Sequence, residues 1–167
     1  EKTVRVTVDA GTKDTDDETP QLNLSWENAL RPAARLNVPD ARFVDLYTQA
    51  IHTLVLLSPG SIYPGPYTYK RFWYRDAAFM AHALLCSGFK ARVGHLLKRF
   101  PHDQTLTGFF HSQSGEWDSN GEVLWILARY ARLTGRALGE PLRKAVRKGA
   151  KWICRKRLGA EKGALHA

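Results

Sequence analysis

A mainly α fold is predicted by three observations. Apolar residues recur at the 3.6-residue period in five stretches between Asp40 and Gly159. Proline, glycine and Asp/Asn signals punctuate the ends of those stretches. The links between them alternate long and short, which is how successive helical hairpins connect. Near the N-terminus a single strictly alternating run, Thr3-Val4-Arg5-Val6-Thr7-Val8, predicts one short strand. No partner strand is evident in the sequence, so this strand is expected either to trail from a β-domain upstream or to pack on the helices. The polar, acidic stretch Gly11–Pro20 reads as a linker.

The first predicted helix starts at Pro39-Asp40 and buries Phe43, Leu46, Tyr47, Ala50, Ile51 and Leu54. The second runs from an Asp76 N-cap to Leu85 and stops at Ser87-Gly88. Val93, Leu96, Leu97 and Phe100 form the third, which Pro101 ends. The fourth opens near Asn120-Gly121, carries Val123, Leu124, Leu127, Ala128 and Ala131, and ends at Thr134-Gly135. The fifth has Pro141 in its first turn and fades near Gly159; Gly149, Trp152 and Ile153 on it are expected to lack a packing partner. Links of about 18 and about 19 residues precede the second and fourth helices, and short turns follow them. Both long loops therefore fall at one end of the array. The organisation expected is residues 1–39 as strand and linker and residues 40–167 as sequential antiparallel helical hairpins.

Composition narrows the function classes. A chain of 167 residues with 44% hydrophobic content can bury a core. No run approaches the length of apolar chain needed to span a bilayer, and no charged-then-apolar leader is visible, so a soluble protein without a membrane partner is expected. The net charge of +9 is concentrated late: nine of the 25 basic residues lie between Arg136 and Arg157, on one amphipathic helix. A solvated basic face is the simplest reading of that stretch, and no nucleic-acid module accompanies it. Cys86 and Cys154 sit in apolar helical patterns and are expected to be buried thiols; the histidines show no ligand spacing. No metal or cofactor is expected.

Two clusters carry chemistry. Trp73-Tyr74-Arg75-Asp76 joins an aromatic wall, a fixed cation and a carboxylate where a Pro/Gly/Tyr-rich loop becomes a helix. In the second long loop, Gln113-Ser114-Gly115-Glu116-Trp117-Asp118-Ser119-Asn120-Gly121-Glu122 interleaves three carboxylates with an aromatic and two amides. Flat aromatic faces beside charged hydrogen-bonding groups suit a sugar ring, with its apolar C–H faces and rim of hydroxyls. Acids at helix N-termini also complement the helix dipole, which accounts for Glu122 well and for Glu116-Trp117 poorly.

Phe72-Trp73-Tyr74-Arg75-Asp76-Ala77-Ala78, followed by Gly88-Phe89, resembles the motif that opens the second helix of glucoamylase-like enzymes, glycoside hydrolase family 15. Gly115-Glu116-Trp117-Asp118-Ser119-Asn120-Gly121-Glu122-Val123-Leu124 is similar to the start of their fourth helix. The resemblance covers about residues 40–157. It implies a six-hairpin (α/α)6 toroid, here incomplete, and a glycosidic bond as substrate. It further implies sugar contacts from Trp73, Arg75, Asp76, Trp117 and Asp118, to which the make-up of the second cluster adds Gln113 and Glu122. The family's acid and base follow later helices, so the catalytic carboxylates are expected beyond the C-terminus, in further hairpins of a parent protein. Within this chain Glu116 and Asp118 are the candidate acids, with Glu122 or Asp76 as base. A non-catalytic helical module whose basic face binds a polyanion is the alternative.

Overall fold

The computed structural model describes residues 5–7 and 26–161. They form a mainly helical fold. Helix α1 (Trp26–Leu30) leads through strand β2 (Arg35–Asn37) into α2 (Ala41–Leu56), and then come α3 (Tyr74–Cys86), α4 (Lys90–Leu97), α5 (Ser119–Thr134) and α6 (Glu140–Glu161). The predicted N-terminal strand is present as β1 (Arg5–Thr7) and does have a partner. It pairs antiparallel with β2, Val6 opposite Leu36. The linker at Gly11–Pro20 lies outside the described residues.

Local chemistry sets the start of α2 and the end of α5, but not the start of α3. Asp40 caps α2, its Oδ1 accepting from the Arg42 N–H at 3.0 Å. Gly135 closes α5 in the left-handed conformation (φ 69°), which only glycine adopts without strain. Helix α4 stops at Leu97, earlier than the sequence suggests, and Phe100–Asp103 forms a separate 3-10 turn with Pro101 inside it. Asp76 does not cap α3. The helix begins two residues earlier, at Tyr74 with Trp73 as cap residue, so Asp76 falls in the first turn, where its charge faces the positive helix end.

Helices α3 and α4 form an antiparallel hairpin around Ser87-Gly88, and the Tyr74 hydroxyl at the start of α3 donates to the Phe100 carbonyl just past α4 at 2.6 Å. α5 and α6 form a second: Asn120, at the start of α5, donates to the Gly149 carbonyl midway along α6. The two hairpins sit so that α3 and α5 run side by side and parallel. Arg75 meets Asp118, Phe79 meets Trp125, and His82 also meets Trp125, in ascending order along both helices. Ala77, Ala78 and Ala81 are fully buried on α3, and their small side chains let the neighbouring helices come close.

Beneath the N-terminal ends of α3 and α5 lies an edge-to-face aromatic cluster. Tyr74 contacts Phe100 and Phe110, each with ring centroids 5.4 Å apart, and Phe72 closes the group. The apolar stripe of α2 is only partly buried. Ile51 and Val55 enter the core, whereas Phe43 and Leu46 stay exposed because no described element covers that face. Both cysteines are exposed rather than buried, Cys86 because it is the last residue of α3 and sits beside His82 at 3.8 Å. No described helix is long and apolar enough to cross a membrane.

Candidate functional site

The two long loops meet at one rim, and the joint is made by Glu116. This carboxylate is 2% exposed, yet it belongs to the loop before α5. Its Oε1 accepts the Arg75 backbone N–H at 2.8 Å, so a residue 41 positions away satisfies an orphan donor in the first turn of α3. Its Oε2 accepts from the Ser112 hydroxyl. The side chain of Arg75 then reaches Asp118, Nε donating to Oδ2 at 2.6 Å. That hydrogen bond holds the Asp118 carboxyl below its ordinary range and keeps Arg75 firmly charged.

Asn120 anchors the same loop from below. Fully buried, it accepts the Phe110 N–H at 2.8 Å and donates to the carbonyls of Gly108 and Gly149. Ser119 donates to the Phe110 carbonyl. Gly108 (φ 102°) lies directly against the Lys148 backbone, where any side chain would collide. Gly149 is packed against Phe110 and Asn120, and Trp152 stacks on Phe109, so for these two residues the expectation of no packing partner is corrected: the long loop before α5 folds onto them, while Ile153 lines the open groove.

Above this framework opens a groove of about 780 Å³ between α3, α5 and α6. Its floor and walls hold Phe79, Trp117, Trp125 and Trp152; Asp118 and Glu122 line the α5 side, and Lys156 and Arg157 the α6 side. Trp117 is 70% exposed, an unusual position for so large an apolar surface unless something covers it in use. Burial, reinforced by the nearby Asp118 charge, pushes the Glu122 carboxyl above its ordinary range. Among the described residues no side chain hydrogen-bonds it.

The structure divides the residues singled out from sequence. Trp117, Asp118 and Glu122 line the groove, with Arg75 joined to it through Asp118. Trp73, Asp76 and Gln113 do not line it. Trp73 packs edge-on against Tyr69, with its indole N–H buried and unpartnered; Asp76 and Gln113 are half-buried beside the rim. Glu116 lies buried beneath the rim, accepting from the Arg75 N–H and the Ser112 hydroxyl. Sequence reasoning missed Phe79, Trp125 and Trp152. Phe79 stands four residues after Arg75 and Trp125 three after Glu122, spacings that put each pair on one helix face. Trp152 gave no such signal, because its approach depends on how the loop folds.

Part of the basic stretch is paired or hydrogen-bonded within the chain. Glu140 pairs with both Arg143 and Arg147 at 2.7 Å, and Arg155 donates to the Thr107 carbonyl. No group of three or more metal-ligating side chains occurs among the described residues. The chain matches no family model, no curated protein and no solved structure.

Proposed function

We propose that this chain supplies the sugar-binding rim of a glycoside hydrolase, and that residues 40–157 are the first hairpins of a six-hairpin (α/α)6 toroid of the glucoamylase-like kind. The parallel adjacency of α3 and α5, each followed by a helix that returns antiparallel, is what the inner wall of such a ring requires. The observation that carries the reading is the groove itself. Three tryptophans and a phenylalanine face a space bordered by Asp118 and Glu122, directly over the Arg75–Asp118 pair. Indole faces take the C–H face of a pyranose, and fixed carboxylates accept from its hydroxyls.

The proton chemistry is assigned elsewhere. Glu116 is buried and already accepts two donors, and Asp118 is held ionised by Arg75, so neither suits a general acid. Glycoside hydrolysis needs an acid and a second carboxylate on either side of the bond. We assign both to residues outside this sequence, which leaves Arg75, Trp117, Asp118 and Glu122 as substrate contacts. The polyanion reading has less to draw on, because Arg143, Arg147 and Arg155 are already engaged.

Tryptophan fluorescence titrated with neutral and acidic oligosaccharides tests the proposal. Saturable quenching is expected, weakened about two- to tenfold in Trp117→Ala, the loss that one aromatic contact explains. Absence of binding to every saccharide, or unchanged binding by Trp117→Ala, overturns it. Hydrolysis of an aryl glycoside by the 167-residue chain alone would overturn the external placement of the acid and base.

A further inference from the structure

We infer that the groove continues past Trp152 into a second subsite that takes an acidic sugar, its ring stacked on Trp152 and its carboxylate held by Lys156. The inference rests on the saccharide reading and adds a substrate class to it.

Continuity comes first. A smaller cavity of about 280 Å³ adjoins the main groove, and Trp152 and Lys156 line both. Thr107 and Arg155 complete it on the far side, toward the loop before α5. A ligand long enough to fill the main groove would therefore pass across the Trp152 ring.

Trp152 is also held ready. Its ring lies nearly parallel to Phe109, with centroids 4.7 Å apart at 16°. Phe109 in turn lies nearly parallel to Trp117, 5.8 Å away at 21°. The Phe109 backbone is tied in both directions to Thr105, its N–H donating to the hydroxyl at 3.0 Å and its carbonyl accepting the N–H at 2.8 Å. The three rings thus form one supported ladder from the main groove to the second cavity. A stacking platform fixed before binding loses little freedom when a ring settles on it.

Charge then distinguishes the two ends. At the α5 end Asp118 is cancelled by Arg75 and Glu122 adds a carboxyl group, so that end suits hydroxyls and disfavours an anion. At the α6 end the lining groups are cationic, and the Lys156 ammonium sits 5.7 Å from the Trp152 ring centroid. A lysine over an indole face is a modest, flexible contact that an anion can outcompete. A uronic acid meets both demands at once. Its ring face replaces the ammonium on the indole, and its carboxylate, at the ring edge, receives the displaced ammonium. A neutral sugar leaves the cation without a partner, and a phosphate chain leaves the indole without one.

Isothermal titration of the 167-residue chain with tetragalacturonate, its methyl ester and maltotetraose tests the inference. Tetragalacturonate is expected to bind up to about fivefold more tightly than its methyl ester, the scale of one exposed charge pair, with the preference falling as salt rises. Lys156→Met, which keeps the apolar stem, should remove that preference and leave the ester unchanged; Trp152→Ala should weaken both ligands. Lys144→Ala, exposed near the start of α6, should change neither. Equal affinity for acid and ester, or a preference that survives Lys156→Met, overturns the acidic subsite while leaving the sugar groove standing. Binding of inorganic polyphosphate that Lys156→Met abolishes and Trp152→Ala spares would overturn it in favour of a plain basic patch. No binding of any saccharide overturns both readings.

Discussion

Replacing Glu116 by alanine should destabilise the fold far more than its position in a surface loop suggests. The side chain is 2% exposed and accepts from two donors, the Arg75 N–H at 2.8 Å and the Ser112 hydroxyl. Losing a helix cap costs about 1 kcal/mol. Stranding a buried donor costs about 1–3 kcal/mol more. The sum, roughly 2–4 kcal/mol, is a large part of the 5–15 kcal/mol that typically separates folded from unfolded. For a chain of this size it corresponds to a fall in Tm of roughly 5–15 °C. Glu116→Gln keeps the acceptor for Arg75 and should lose less than half as much. Ser112→Ala should cost about 1 kcal/mol in the wild type and almost nothing once Glu116 is gone, because the two share one bond. Thermal and urea unfolding followed by circular dichroism measures the wild type, the three single variants and the double variant. If Glu116→Ala melts within about 2 °C of the wild type, the cross-loop cap is not holding α3 and the reasoning fails.

Two further outcomes follow from the same framework. Gly108→Ala should cost more than about 3 kcal/mol, because a left-handed backbone and a collision with the Lys148 carbonyl combine, whereas Gly121→Ala, with open space around it, should gain up to about 1 kcal/mol from helix propensity; urea midpoints compare the two. The pH dependence should run oppositely at two carboxylates. Asp118 is depressed below 3.8, so its pairing supports the fold at neutral pH and is lost as pH falls through the native value; Asp118→Asn should differ from the wild type by less than about 1 kcal/mol at neutral pH, since both partners are well exposed, and by nothing in strong acid. Glu122 is raised above 4.5, so its contribution is fully present below that pH and is lost as pH rises through the native value; Glu122→Gln should gain on the wild type over that interval.

The fold was most legible where sequence-local chemistry governs it. The Asp40 cap, the Gly135 stop and the long apolar repeats of α2, α5 and α6 place those helices to within a few residues. The meeting of the two long loops followed from link lengths alone, and Arg75 and Asp118 lie in contact. What the sequence hid was tertiary. Three-residue strands such as Arg35–Asn37 carry too little alternation to register, and the five-residue helix at Trp26 too little period. Asp76 has the right chemistry for a cap, but Glu116 holds the start of α3 from 41 residues away, a substitution no local rule anticipates. The groove was half visible. Trp117, Asp118 and Glu122 are neighbours in sequence, whereas Trp152 joins them only because Gly108 and Gly149 allow a loop to lie flat on α6.

The three buried alanines of α3 bear on how this rim can change over generations of mutation. Ala81 lies six residues along α3 from Arg75, about 9 Å below the rim at the rise of an α-helix. These methyl groups belong to the packed core beneath the 2.6 Å contact between Arg75 and Asp118. Side-chain volume added at Ala77, Ala78 or Ala81 acts as a wedge between α3 and the elements packed on it. Variation that retunes the aromatic and charged lining can accumulate freely, residue by residue. Variation in this seam cannot, because enlarging one alanine demands a matching reduction across the interface in the same step. The helix packing beneath the site is therefore its least adjustable part, and the lining of the groove the part free to diverge.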